Sequence, residues 1–259
     1  MKLQPIAINA LKDNYIWCLV NPLLKQAVVV DPGEAHPVFN FLKQHDLQLA
    51  AILITHHHWD HTHGVKELTK HRSIPVYGSS KTVADVTDDL TDDLREGDQI
   101  TLMNQLVFQV IEIPGHTLDH IAYYGRGMLF CGDTLFTAGC GRIFEGTPSQ
   151  MMNSLMKLVQ LPDETLIYCG HEYTLKNLLF ARAVEPNNAA IHARFAHVAQ
   201  LREQQQPTVP ATLATEKQTN PFLRSHVAEI VAAVQQRFNV IDENPVTIFQ
   251  YLRQWKNDF

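Results

Sequence analysis

The stretch Leu49-Ala50-Ala51-Ile52-Leu53-Ile54-Thr55-His56-His57-His58-Trp59-Asp60-His61 decides how this chain is read. From Leu49 to Ile54 it is an unbroken apolar run, short and bounded like a buried strand. From Thr55 to His61 it crowds four imidazoles and a carboxylate into one turn of chain. Such donors at a strand's end, where rigid backbone passes into a loop, suit a divalent first-row metal, zinc foremost. Taken alone, the cluster could also be a solvated polar loop. Alternation along an extended segment sends His56 and His58 to one side and His57 to the other, so His57 is expected outside the ligand shell. A loop that follows can turn Asp60 and His61 toward a second ion.

Three later segments repeat the pattern of apolar run, glycine, then donor. Leu106–Ile113 leads into Pro114-Gly115-His116, Met128–Cys131 into Gly132-Asp133, and Thr165–Tyr168 into Gly170-His171. Glycine lets backbone come close to an ion. The sum is five histidines and two aspartates, which exceeds one tetrahedral zinc and fits two ions about 3.5–4 Å apart. The expected assignment places His56, His58 and His116 on one ion and Asp60, His61 and His171 on the other, with Asp133 between them. His120 and Asp31 are candidates to support ligands, since a coordinating imidazole needs a partner for its other nitrogen. Asp31 reads equally well as a turn residue in Asp31-Pro32-Gly33. His63 is expected to open the next helix, and His36, His45, His71, His192, His197 and His226 read as surface or cap residues.

Length and composition set the frame. With 259 residues, 45% hydrophobic and 19% charged, the chain suits one large soluble domain or a domain with an appendage. No apolar run approaches the ~20 residues of a membrane span. Met1-Lys2-Leu3-Gln4-Pro5-Ile6 opens without the pattern of a secretory signal. The cysteines Cys18, Cys131, Cys140 and Cys169 form no C-x-x-C pair, as expected of buried thiols in a reducing cytoplasm. A net charge of −6 argues against general nucleic-acid affinity; a monomer is expected.

Strand-like runs fall at Tyr15–Val20, Ala27–Val30, Leu49–Ile54, Leu106–Ile113, Ile121–Tyr124, Met128–Cys131 and Thr165–Tyr168, with helical patterns between them at about Pro37–His45, Gly64–Lys70 and Ser149–Leu161. Thr147-Pro148 is a helix start, with threonine as N-cap and proline at the first helical position. From Tyr173 onward the spacing is helical only, at Leu175–Val184, Ala189–Gln206, His226–Phe238 and Val246–Lys256, with Pro207 and Pro210 as breakers. The expected division is a sheet-rich domain, 1–172, and a helical domain, 173–259.

In the order Asp31, His56-x-His58-x-Asp60-His61, His116, Asp133, His171, the chain resembles the metallo-β-lactamase superfamily. That resemblance implies an αβ/βα sandwich with the site at one edge. Cys131-Gly132-Asp133-Thr134-Leu135-Phe136, Gly139-Cys140-Gly141-Arg142, Gly170-His171-Glu172-Tyr173-Thr174, Asn220-Pro221-Phe222-Leu223-Arg224 and Arg253-x-x-Lys256 are similar to the glyoxalase II (hydroxyacylglutathione hydrolase) family. The resemblance implies hydrolysis of S-(2-hydroxyacyl)glutathione, typically S-D-lactoylglutathione, to a 2-hydroxy acid and glutathione. It further implies a substrate pocket at Arg142, Phe144, Tyr173, Arg253 and Lys256. Arg142 stands where many members carry lysine, which keeps charge and changes geometry. Phe144 stands where some carry tyrosine, so a hydroxyl contact is missing.

Two divalent ions, zinc foremost with iron or manganese compatible, would lower the pKa of water from 15.7 to about 7 and supply a metal-bridging hydroxide. Asp60 and Asp133 are the catalytic carboxylates of this reading. The alternatives are another hydrolase on the same scaffold, such as a lactonase, a β-lactamase or a general thioesterase, and a diiron redox protein.

Overall fold

The computed structural model describes residues 4–79 and 92–259. By compactness the chain forms two units, Met1–Glu112 with Asp119–Gly132, and Ile113–Leu118 with Asp133–Phe259.

The first unit is built on two sheets. Strands β1 (Ile6–Ala10), β2 (Asn14–Asn21) and β3 (Gln26–Val30) pair antiparallel, and β3 then pairs parallel with β4 (Gln48–Leu53) across helix α1 (Ala35–Gln44). Val38 and Leu42, one helical turn apart, share a core with Val29 and Ile52, which is why this amphipathic helix seats on the sheet. After the short helices α2 (Trp59–Thr62) and α3 (Val65–Thr69), β5 (Val76–Gly78) and β6 (Asp92–Asp93) extend the sheet in parallel.

The second sheet runs antiparallel through β7 (Gln99–Leu102), β8 (Leu106–Glu112), β9 (Ile121–Gly125) and β10 (Met128–Gly132). Along β8 buried and exposed residues alternate for most of its length, the period of a sheet with one wet face. Fully buried Tyr123 of β9 donates its hydroxyl to the carbonyls of Ile54 (2.9 Å) and Tyr77 (3.0 Å). Burial raises its pKa well above the ordinary phenol value, so it stays a donor. The Ile121 N–H meets the Thr55 carbonyl at 2.9 Å. These bonds fix the two sheets together just where β4 releases the histidine cluster.

In the second unit, a short hairpin of β11 (Leu135–Phe136) and β12 (Gly139–Cys140) precedes α4 (Pro148–Val159). Thr147 caps that helix as its sequence predicts, and Gln150 completes a capping box. Strand β13 (Leu166–Cys169) is followed by α5 (Thr174–Val184) and α6 (Ala189–Glu203). After β14 (Ala211–Thr212) come α7 (Leu213–Thr219), a 3-10 turn at Pro221–Leu223, α8 (Ala228–Phe238) and α9 (Pro245–Asp258). The mixed α/β class and the helical C-terminal character agree with the sequence reading. Several elements have no counterpart in it, namely β1, β5, β6, β7, β11, β12, β14, α2 and α7. β14 pairs with Leu166 and Ile167 although two residues leave no periodicity to read. α7 carries no apolar stripe; it begins because Thr212 accepts a hydrogen bond from the Thr215 N–H at 3.2 Å. Among the described residues no helix is long and apolar enough to cross a membrane.

Candidate metal centre

The donors of the first unit are organised by Asp31. This residue follows β3 directly, in the left-handed region (φ 53°), a conformation aspartate tolerates better than most side chains. Its carboxylate is buried. Oδ1 accepts from the Thr55 N–H at 2.8 Å, while Oδ2 accepts from the Thr55 hydroxyl at 2.8 Å and faces His61 Nδ1 at 3.1 Å. Asp31 is therefore both turn and anchor. A carboxylate at Nδ1 places that proton toward Asp31 and leaves Nε2 as the ligand nitrogen; Nε2 lies 3.6 Å from Asp60 Oδ2.

Asp60 is itself held by Asn14, whose Nδ2 donates to its carbonyl (3.2 Å) and to its Oδ2 (3.1 Å). A Cβ at Gly33 would overlap the Asp60 carbonyl, so this close approach requires glycine. His56 Nε2 lies 3.2 Å from His58 Nδ1, and His56 Nδ1 lies 3.0 Å from the Thr55 hydroxyl. His57 turns aside to Asp119 Oδ1 at 3.0 Å, as alternation predicts. His120 is buried and stacks on His56 with centroids 4.5 Å apart. His63 differs from expectation: it caps the C-terminus of α2, with its N–H on the Trp59 carbonyl, and α3 opens after Gly64 instead.

The second unit carries the remaining three. His116 Nδ1 donates to the Arg142 carbonyl at 2.7 Å, an acceptor with no proton to give, which fixes the tautomer. Its Nε2 lies 3.6 Å from Asp133 Oδ2, and His171 Nε2 lies 3.3 Å from the same oxygen. Tyr173 stacks on His171 with centroids 4.7 Å apart, and Phe136 meets both rings edge-on. Exposed Phe144 lies edge-on to His116. Arg142 is exposed. Arg253 is only 6% exposed; its Nη1 donates to the Cys140 carbonyl at 2.7 Å and its Nε to Asn257 Oδ1 at 3.2 Å. Lys256 donates to the Lys176 carbonyl at 3.1 Å and lies over the rings of Phe180 and Phe259.

In each unit, imidazole nitrogens and carboxylate oxygens converge at 3.2–3.6 Å while the far nitrogens of His61 and His116 are committed to acceptors. That is the donor chemistry a divalent cation requires, with the outer hydrogen bonds already in place. Sequence reasoning passed over Asn14 and Asp119. Neither sits in a local pattern; only the fold brings Asn14 to Asp60 and Asp119 to His57.

Strand-end histidines and carboxylates on a two-sheet α/β frame define a metallohydrolase of the metallo-β-lactamase type. Residues 19–171 match the family described as the metallo-beta-lactamase superfamily, and residues 172–259 match the hydroxyacylglutathione hydrolase C-terminus. The chain is 50% identical over 258 residues to hydroxyacylglutathione hydrolase of Vibrio cholerae serotype O1, covering 99% of this chain and all of the relative. It is 47% identical to that of Nitrosomonas eutropha, with 97% of each chain covered. Among solved structures, ETHE1 from Myxococcus xanthus superposes with a TM-score of 0.66 at 26% identity, covering 99% of this chain and 100% of that one. The chain belongs to the hydroxyacylglutathione hydrolase family and is a hydrolytic enzyme.

Proposed function

We propose that the protein hydrolyses S-(2-hydroxyacyl)glutathione thioesters, S-D-lactoylglutathione above all, to a 2-hydroxy acid and glutathione, the second step of methylglyoxal detoxification. The observation that carries this reading is the match of residues 172–259 to the C-terminal segment particular to the family, with Lys256 inside it. His56, His58 and His116 would hold one ion, Asp60, His61 and His171 the other, and Asp133 both. Bound divalent ions, zinc first, supply Lewis acidity and water ionised near neutral pH. Asp60, steadied by Asn14, orients the attacking water. The leaving thiolate has a pKa near 8.5 and needs little help from an acid.

Arg142, Phe144, Tyr173, Arg253 and Lys256 form the glutathione pocket of this proposal. Lys256 supplies a positive charge for a substrate carboxylate, whereas Arg253, through the Cys140 carbonyl, steadies the chain that leads to Arg142. A reducing cytoplasmic setting is supported by four free, buried cysteines. Burial pushes the thiols of Cys18 and Cys169 up to about 12, so neither is a reactive nucleophile. We place the enzyme there as a monomer.

The direct test is turnover of S-D-lactoylglutathione beside a simple thioester and a lactam. Equal rates on all three would sink the assignment. A pH profile tests Lys256 separately. Burial first, then the positive charges of Arg253 and Lys176, push its amine down to about 8. It is charged below that value and neutral above it. KM therefore rises as pH climbs through about 8 while kcat changes little, and Lys256→Arg abolishes the rise because guanidinium stays charged. A KM that is flat from pH 7 to 9.5 in the wild type would remove Lys256 from the pocket.

A further inference from the structure

The hairpin Leu135–Cys140 joins Asp133 to Arg142, whose carbonyl orients His116. Every residue from Phe136 to Cys140 has a backbone group bonded to a side chain of the helical segments that follow. The carbonyls of Phe136 and Gly139 accept from Asn220 Nδ2 at 3.2 and 2.9 Å. The Thr137 carbonyl accepts from Asn177 Nδ2 at 3.1 Å, and the Cys140 carbonyl from Arg253 Nη1 at 2.7 Å. The Ala138 N–H donates to Glu216 Oε2 at 2.7 Å.

Glu216 and Asn220 are fully buried and bonded to each other at 3.0 Å, and Glu216 Oε1 accepts from Arg194 at 2.5 Å. A buried carboxylate would be a poor choice for simple filling, because it is tolerated only when hydrogen-bonded and paired. Here it spends its oxygens on one backbone N–H, one amide and one guanidinium. The turn it grips needs the grip. Ala138 sits in the left-handed region (φ 56°), which its Cβ disfavours, and a two-stranded hairpin is marginal alone. At the ligand end the same backbone is tightly packed: the Gly141 N–H meets the Thr134 carbonyl at 3.2 Å, and a Cβ at Gly141 would overlap the Asp133 carbonyl. Displacement of the hairpin therefore passes to Asp133 on one side and to the Arg142 carbonyl on the other.

We propose that Glu216 and Asn220, together with Arg253, are positioning residues for the metal ligands, holding the Leu135–Cys140 hairpin so that Asp133 and His116 keep their coordinating geometry. This gives Asn220 of the Asn220-Pro221-Phe222-Leu223-Arg224 motif a task at the metal centre without contact with either ligand. The inference rests on the reading of His116 and Asp133 as ligands.

The test loads wild-type, Glu216→Gln and Asn220→Ala proteins with zinc and measures zinc retained against increasing chelator, beside circular dichroism and melting temperature. Glu216→Gln keeps the shape but turns an amide N–H2 toward the Ala138 N–H or Arg194. The expected result is release at roughly tenfold or more lower chelator in both folded variants, the usual scale for a lost outer hydrogen bond. Arg224→Met, which breaks the ion pair with Glu185 away from the hairpin, lowers the melting temperature without moving the chelator midpoint. If Asn220→Ala does not fold, Glu216→Gln and Arg253→Met decide. Wild-type retention in the folded variants, or an equal shift in Arg224→Met, overturns the proposal. His116→Ala in the same titration separates the two ideas: full zinc retention there would defeat the ligand assignment itself.

Discussion

Asp133→Asn lowers kcat/KM on the order of 10³-fold, and bound metal falls from two ions per chain toward one. The argument begins with one oxygen. Oδ2 of Asp133 lies 3.6 Å from His116 Nε2 and 3.3 Å from His171 Nε2, so it faces histidines assigned to different ions. An asparagine of the same shape offers one neutral oxygen and, in its other position, an N–H2 group that repels a cation and ties up by hydrogen bonding the imidazole lone pairs an ion would need. The metal's stabilisation of developing transition-state charge is worth several kcal/mol. At about 1.36 kcal/mol per factor of ten, losing most of it gives the stated drop. Steady-state kinetics on S-D-lactoylglutathione with elemental analysis of the same sample checks both halves. Activity within tenfold of wild type, with two ions retained, would remove Asp133 from its central role.

How much of this was readable in the chain depends on whether the signal is local. The pattern of candidate donors was, because a donor after an apolar run and a glycine is a short-range statement: Ile113-Pro114-Gly115-His116 and Cys131-Gly132-Asp133 show it within four residues. The strand assignment of Leu106–Ile113 and the cap at Thr147 rest on the same kind of information, side-chain period and turn chemistry, and both agree with the structure to within a residue. The outward turn of His57 followed from alternation alone.

What surrounds the donors was not readable in this way. Asn14 meets Asp60 across 46 positions, Asp119 meets His57 across 62, and Arg253 meets Cys140 across 113. No pattern in a window of ten residues encodes those meetings; they exist because sheets and helices bring distant segments together. α7 shows the same limit. Its sequence, Leu213 to Thr219, is polar around most of its surface and reads as loop, yet it delivers a fully buried glutamate to a backbone N–H. A buried carboxylate can look like a surface residue until its partners are known. Asp31 lies between the two cases. The sequence left it open between turn and anchor, and the left-handed backbone and the three hydrogen-bond partners show that one residue does both.

Asp31→Asn separates those two roles, and its expected result is a 10–100-fold loss of zinc affinity, the scale typical when a partner of a coordinating histidine is removed. Asparagine accepts the left-handed conformation as readily as aspartate, so the turn survives. The contacts to His61 and the Thr55 hydroxyl do not. With its one oxygen on the Thr55 N–H, the amide N–H2 faces His61 Nδ1 and the Thr55 hydroxyl. His61 avoids donor against donor by moving its proton to Nε2, the nitrogen assigned to the ion. The Thr55 N–H keeps an acceptor, but a neutral one in place of a charged one, which also destabilises the fold by about 1 kcal/mol. Asp31→Ala goes further: it removes every acceptor and leaves a Cβ-bearing residue in the left-handed region, at about 1–2 kcal/mol more. Zinc affinity should therefore fall in the order wild type, Asp31→Asn, Asp31→Ala. Nitrogen-15 NMR of the His61 ring reports the proton's location directly in metal-free protein. Finding it on Nδ1 in Asp31→Asn, with zinc affinity unchanged, would show that the ligand nitrogen is prepared by something other than Asp31.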